Sequence, residues 1–86
     1  MQFVVMSRSV PDVDRGPWVQ EEYQMVDELH ASGFFHQIYV RSDQYGAISL
    51  VQAESEEVLR EKVASLPFSA NGCVEIEQVI AVTPRW

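Results

Sequence analysis

The sequence is short of several residue types, and each shortage excludes a class of protein. Cys73 is the only cysteine among 86 residues, so no internal disulfide can form and a reducing, cytoplasmic environment is expected. The four glycines are scattered and make no phosphate-binding loop. Six basic residues stand against thirteen acidic ones, a net charge of −7. This charge opposes binding to nucleic acid or to an anionic membrane surface.

Long apolar runs and metal-ligand patterns are missing as well. No apolar run reaches the roughly 18 residues that span a bilayer, and the N-terminus has no signal-peptide pattern. The histidines, the cysteine and the carboxylates show no spacing typical of a metal site. We therefore expect no membrane partner and no metal.

What the sequence does contain is apolar residues in excess. It is 47% hydrophobic and 22% charged, which favours one folded domain over residues 1–86. A chain this short buries only about 60–65% of its surface when it folds alone. Part of the apolar surface is therefore expected to face a partner.

The order of predicted elements is strand, helix, strand, strand, helix, strand. Strands are predicted over residues 2–8, 34–41, 45–53 and 73–82, with a hairpin loop at 42–44. The first helix begins at Trp18 and ends at Gly33, and the second begins after the N-cap Ser55 and stops at Pro67. Residues 67–72 are predicted to be a loop.

The first predicted helix is amphipathic. Its apolar positions are Val19, Tyr23, Met25, Val26 and Leu29, and its polar face carries Glu21, Gln24, Asp27 and Glu28. This spacing predicts a helix that packs on a sheet and leaves its acidic face in solvent.

This element order predicts an α+β, ferredoxin-like βαββαβ fold, a four-stranded antiparallel sheet with both helices on one face. In the last strand, Val74, Ile76 and Ile80 are expected to lie under the helices, and the bare face is expected to carry Cys73, Glu75, Glu77, Val79 and Ala81. A second copy stacked on the bare face would cover it, so we expect a homodimer.

Several short motifs carry a resemblance to a known family. They are Leu29 with Gly33, residues 35–41, residues 45–49, residues 66–68 and residues 74–77. Through them the chain resembles the muconolactone isomerase family, within the dimeric α+β barrel superfamily. The resemblance implies a barrel formed between two subunits, in some members larger rings of dimers, and isomerisation of a small unsaturated lactone by proton transfer without a cofactor. Glu75, Tyr45 and Ser49 match the family pattern in place.

A cofactor-free proton shift needs a group that can take and return a proton. His36 is a candidate because its ordinary pKa is about 6.5, and a structural hydrogen bond at an interface is the alternative. Glu75 and Glu77 lie two residues apart on one strand face, where two carboxylates raise one another's pKa. A carboxylate that faces solvent or pairs with an interface arginine is the alternative for Glu75. We rank Glu75 slightly above His36.

Other residues are candidates for binding the substrate. Tyr39, Tyr45 and Ser49 can donate hydrogen bonds to a developing oxyanion, although aromatic packing is the alternative for both tyrosines. The hairpin length decides whether His36 or Tyr39 shares the face of Ser49. Arg8 can hold a substrate carboxylate or pair with an acid. Met6 is expected to wall the cavity.

The leading hypothesis is a cofactor-independent isomerase or cyclase acting on a small unsaturated lactone or an aromatic or polyketide-like ring. The alternatives are a cofactor-free monooxygenase of phenolic substrates and a non-catalytic small-ligand-binding or assembly module. We also expect residues 84–86 to contact another subunit, because tryptophan and arginine are common interface anchors.

Overall fold

The computed structural model describes residues 1–43 and 45–86, and it has the predicted α+β fold. The elements run in the order β1 (Gln2–Ser9), α1 (Val19–Ala31), β2 (Phe35–Val40), β3 (Gly46–Gln52), α2 (Glu56–Ala64), α3 (Pro67–Ala70) and β4 (Val74–Val82). A short 3-10 turn, Gly16–Trp18, leads into α1. Part of the predicted hairpin loop, Gln44, lies outside the described residues.

Local sequence signals explain the helix ends. Ser55 caps α2, since its hydroxyl oxygen accepts the backbone N–H of Val58 at 3.2 Å. Gly33 follows α1 with φ 89°, a left-handed conformation that suits glycine. The loop predicted at residues 67–72 is wrong in its first part, where α3 forms. Pro67 at the first position of that turn favours a helix, and the Asn71 side chain donates to the Pro67 carbonyl at 2.8 Å.

The four strands form one antiparallel sheet in the order β2-β3-β1-β4. One face, here called the helix face, packs on the helices. Its buried core contains Phe3, Val5 and Val51 from the sheet, and Leu59, Val63 and Leu66 from α2 and the segment after it. The other face, here called the open face, is covered by none of the helices in the described part of the chain.

A β-bulge changes the predicted alternation in β4. The pairing of β1 with β4 shifts register between Met6 and Ser7. Val79 therefore pairs with Val5 and packs against the core, whereas Ile80 pairs with Val4 and is 41% exposed. The predicted faces are correct for the first half of the strand and wrong for Ile80 and Val79, because the bulge adds one residue.

Two other residues assigned to the bare face also lie elsewhere. Ala81 pairs with Phe3 and so shares the helix face. Cys73 precedes β4 and is fully buried. No helix among residues 1–43 and 45–86 is long and apolar enough to cross a membrane.

Candidate functional site

A cleft lies between the helix face of the sheet and the helices α1 and α3. Its volume is about 310 Å³, within the range of small-molecule sites. Its wall is largely apolar, and the polar side chains that line it are Ser7, Ser9, Arg15, Glu22, Tyr23, Tyr45, Ser49 and Ser69. This combination of apolar wall and a few polar groups suits a small, mostly apolar ligand.

Glu22 is the acidic residue in this cleft. It lies on α1 and is only 8% exposed. Its Oε1 accepts the backbone N–H of Phe68 in α3 at 2.9 Å, which joins the two helices across the cleft. The bond involves Oε1, and no described group donates a hydrogen bond to Oε2.

Burial changes the acidity of Glu22. Desolvation raises the pKa of its carboxyl above the ordinary 4.5, and the hydrogen bond from Phe68 offsets part of the rise. No described arginine or lysine forms an ion pair with it. A carboxyl whose pKa is shifted toward neutrality can both take and return a proton.

Hydroxyl groups stand around the same cleft. Ser49 lies on β3 directly opposite Val5, on the helix face, and is 7% exposed. Tyr45 is largely exposed at the mouth of the cleft, and Tyr23 follows Glu22 on α1. Such donors can stabilise negative charge that develops on a ligand oxygen.

Close backbone packing positions Tyr45 at this mouth. The Ser9 N–H donates to the Tyr45 carbonyl at 2.5 Å. Gly46 follows, and a Cβ on it would stand 2.3 Å from the Ser7 carbonyl oxygen and 2.7 Å from the Arg8 Cα. Only glycine allows β3 and β1 to approach this closely.

Glu75 and Arg8, two of the predicted site residues, form an ion pair with each other. Arg8 donates from Nε and Nη2 to Glu75 Oε1 at 2.9 and 2.5 Å. Both side chains are about half exposed, and the two residues pair across β1 and β4 on the open face. Ser49 is on the opposite face, so one chain cannot bring Ser49 and Glu75 to the same ligand.

Glu77, another predicted site residue, is held by Arg41. The guanidinium of Arg41 also donates to Asp43 at 3.1 Å and to the Ser7 carbonyl at 3.2 Å. These hydrogen bonds, first to Asp43 and then to Glu77, raise the pKa of Arg41. The Arg41 side chain is 8% exposed, so this fork is a fixed part of the open face.

His36, Tyr39 and Met6 do not line the cleft. The β2–β3 register shifts between Phe35 and Gln37, so His36 is the extra residue of a bulge and is exposed. Ile38 is the β2 residue opposite Ser49, and Tyr39 and Met6 both pair with Ile48 on the open face. The hairpin length was expected to place either His36 or Tyr39 on the face of Ser49, and the structure places neither residue beside Ser49.

Glu22 was not among the predicted site residues, although the sequence carries a signal for it. Glu22 stands three residues after Val19 and four before Val26, which is the spacing of one helix face. A carboxylate that shares the apolar face of a helix is expected to be buried when the helix packs on the sheet. This position marks Glu22 as a candidate site residue. No sequence pattern indicated that the Phe68 N–H donates a hydrogen bond to Glu22.

Comparison with known proteins adds a family and a fold. The family model for muconolactone delta-isomerase matches residues 1–84. A crystal structure of muconolactone isomerase is 20% identical, covers 100% of this chain and 94% of that chain, and superposes with a TM-score of 0.74. No curated protein sequence matches.

A second solved structure is similar to this chain. It is 5-chloro-2-hydroxyhydroquinone dehydrochlorinase from Burkholderia phenoliruptrix AC1100, in complex with 2,5-dihydroxybenzoquinone. It is 18% identical, covers 100% of this chain and 93% of its own, and has a TM-score of 0.71. At these identities the two structural matches establish the fold alone.

Proposed function

The chain belongs to the muconolactone delta-isomerase family, and we propose that it is a cofactor-independent enzyme that moves a proton within a small unsaturated lactone or an aromatic ring bound in the cleft. The observation that carries this proposal is Glu22, a buried carboxyl with a raised pKa among hydroxyl donors.

Glu22 acts as the base and then as the acid. Its Oε2 takes a proton from a carbon next to a carbonyl, the C–H electron pair moves toward the carbonyl oxygen, and an enolate forms. The same carboxyl returns the proton to a different carbon, and the double bond shifts. No electrons are gained or lost overall, so the step needs no oxidant.

The enolate oxygen requires hydrogen-bond donors. Ser49 from β3 and Tyr45 from the mouth of the cleft are the hydroxyls proposed for this role. Phe68 holds Oε1 of Glu22 through its backbone N–H, so the carboxyl keeps one orientation while Oε2 exchanges the proton. Glu22 and Ser49 are buried, which strengthens the polar contacts that a ligand makes with them.

Exchange of deuterium into muconolactone in D₂O, followed by NMR, tests the proposal. Glu22→Gln should lower the exchange rate by about 10²–10⁴-fold. The substituted amide oxygen still accepts the Phe68 N–H, so the fold should be retained, as circular dichroism can verify. Glu75→Gln and His36→Gln are the matched variants, and both should keep the exchange rate. Loss of exchange in Glu75→Gln with retention in Glu22→Gln would move the site to the open face.

Elimination of chloride is a second candidate reaction of the same carboxyl. The similar dehydrochlorinase favours it, since proton removal next to a C–Cl bond expels chloride in place of a second protonation. Chloride release from a chlorinated lactone tests this candidate. Oxygen uptake with a hydroquinone tests the monooxygenase alternative, and an isomerase would consume none.

We also propose a homodimer formed through the open face. Its central side chains are apolar and only partly covered, and they are Val4, Met6, Ile48, Leu50 and Ile80. The charged forks of Arg8 with Glu75 and Arg41 with Glu77 border this patch. Apolar faces of this kind mark partner surfaces. A stable species near 9.8 kDa in sedimentation at micromolar concentration would contradict the proposal.

The C-terminal residues are proposed to take part in assembly. Trp86 is 99% exposed, and the Arg85 guanidinium stands 5.0 Å above its ring. An exposed tryptophan with a stacked arginine is typical of an interface anchor. Deletion of residues 84–86 should weaken the oligomer in sedimentation, and an unchanged oligomer would contradict this role.

A further inference from the structure

Six basic residues occur in the chain, and Arg15 differs from the others in its surroundings. Arg8, Arg41 and Arg60 each pair with a carboxylate. Lys62 stands over the Phe34 ring at 5.1 Å, and Arg85 lies in the exposed tail. Arg15 has no described carboxylate partner and is the one described cation that lines the cleft.

The guanidinium of Arg15 is held in place without being neutralised. It stands 5.4 Å above the Phe68 ring and is half-buried. Phe68 is also the residue whose N–H binds Glu22. The same residue thus orients the cleft's base and the cleft's cation, and the charge of Arg15 stays available to a ligand. The chain has a net charge of −7, so carboxylates outnumber basic residues, and an arginine without a described carboxylate partner is unusual in it.

Ser9 supplies a second polar group at the same place. Its Oγ is buried and has no hydrogen-bond partner among the described residues. A buried hydroxyl without a partner costs free energy unless a ligand satisfies it. Ser9, Arg15 and Tyr45 line both the cleft and a shallow outer depression that also contains Arg8 and Asp12. They therefore mark the passage between the outside and the cleft.

From these observations we infer that Arg15 and Ser9 form an anion subsite at the mouth of the cleft, which selects ligands that carry a carboxylate. The apolar or ring part of such a ligand lies deeper, toward Glu22. This inference rests on the proposed function for the position of the reacting group. The subsite itself rests on Arg15 and Ser9.

Chemistry explains why the subsite and the base belong together. An anionic ligand entering a cleft that holds Glu22 would meet like charge, and the Arg15 guanidinium offsets that repulsion. A guanidinium and a hydroxyl together donate several hydrogen bonds to one carboxylate, which fixes its orientation. A neutral ligand of the same shape would leave the Arg15 charge half-desolvated and Ser9 Oγ without a partner.

The test uses benzoate and benzamide, two flat ligands of nearly equal size, of which only the first is charged. Binding is followed by amide chemical shifts of the isotopically labelled protein at low salt and neutral pH. We expect benzoate to shift the resonances of Ser9 and Arg15 and to bind at least about tenfold more tightly than benzamide. Added salt should weaken benzoate binding.

Variants separate the subsite from general charge attraction. Arg15→Gln and Ser9→Ala should each weaken benzoate about tenfold or more and leave benzamide unchanged. Arg60→Gln removes the same charge from the outer surface of α2 and should leave both affinities unchanged. Ser9→Ala removes an unsatisfied hydroxyl, so the variant should fold at least as well as the parent.

Three results would overturn the subsite: equal affinity for the two ligands, no binding of benzoate, or benzoate binding that Arg15→Gln leaves intact. The proposed function fails separately. If Glu22→Gln keeps full proton exchange while Arg15→Gln loses benzoate, the reaction is wrong and the subsite stands. If Glu22→Gln loses exchange while both ligands bind alike, the reaction stands and the subsite is wrong.

Discussion

The two faces of the sheet treat their carboxylates in opposite ways. Opposite the helix face, Glu22 on α1 is buried, bound by one backbone N–H and free of any described arginine partner. On the open face, Glu75 and Glu77 are each paired with an arginine. The first arrangement raises the pKa of the acid, and the second ties the acid into the structure. The surroundings of a carboxylate, more than its residue type, decide whether its pKa is raised.

The largest expected contrast in stability is between the leucines of the two faces. Leu59 is fully buried, so Leu59→Ala should lower the free energy of unfolding by about 2–5 kcal/mol at any protein concentration. Leu50 lies on the open face and is half-buried. Leu50→Ala should therefore lower the free energy of unfolding by less than Leu59→Ala does, and its effect should shrink as the protein is diluted. Urea unfolding at several concentrations measures both. Equal, concentration-independent losses would show that the two faces are equally covered within one chain.

Arg41 should contribute to the stability of the fold although it lies on the open face. Arg41→Met removes hydrogen bonds to Asp43, Glu77 and the Ser7 carbonyl. We expect a loss of unfolding free energy larger than that of Arg60→Gln, which breaks a single exposed ion pair. Arg41→Lys keeps the charge but lacks the planar fork, so it should recover only part of the loss. Full recovery by lysine would mean that charge alone accounts for the role of Arg41.

Gly46→Ala tests the close approach of β3 and β1. The added Cβ would meet the Ser7 carbonyl oxygen at 2.3 Å, and backbone atoms cannot move aside cheaply. The expected cost is about 1–3 kcal/mol in unfolding free energy. Gly16→Ala is the control, since its Cβ would meet only the Asp14 side chain, at 3.1 Å. Equal costs for both variants would contradict a tight contact at Gly46.

The pH dependence of stability should identify Glu22. Its folded-state pKa is raised, so the folded chain binds more protons than the unfolded chain above about pH 4.5. The parent protein should therefore lose stability as pH rises from there through the raised pKa, whereas Glu22→Gln lacks this contribution. In thermal unfolding across this range, the stability of Glu22→Gln relative to the parent should increase as pH rises. Parallel curves would rule out a desolvated Glu22.

The smallest effect is expected at the exposed ion pair of the open face. Arg8 and Glu75 are about half exposed, so Arg8→Gln should change the unfolding free energy by only about 0.2–1 kcal/mol. The effect should shrink in concentrated salt. Arg60→Gln breaks the similarly exposed pair with Glu56 and serves for comparison. A loss well above that of Arg60→Gln would indicate that a partner covers the Arg8 pair.

Much of the fold followed from the sequence because its signals are local. Ser55 at a helix start, Gly33 after a helix and the β-branched runs each act over a few residues. The βαββαβ order then leaves few topologies, and the four strands do form one antiparallel sheet. The faces of Ile80 and His36 could not be derived this way. Each depends on a bulge, and a bulge is a long-range adjustment between strands.

The candidate site was harder to predict because it depends on contacts between distant segments. Glu22 and Phe68 are separated by 46 residues and meet only when α3 packs on α1. Arg8 and Glu75 are 67 residues apart, so no local pattern revealed that these two candidates pair with each other. The helical spacing of Glu22 with Val26 was the one local sign of burial.

The bulge opposite Ser7 divides β4 into two parts. Even-numbered residues point to the helix face before the bulge and to the open face after it. Val74 and Ile76 contribute to the cleft wall and the core, whereas Ile80 and Val82 lie on the open face. Substitutions in β4 can therefore test the proposed ligand cleft and the proposed dimer interface independently. A mutant library at position 74 would change the cleft wall, and one at position 76 would change the core behind it. A library at positions 80 and 82 would test the proposed open-face dimer and leave the cleft as it is.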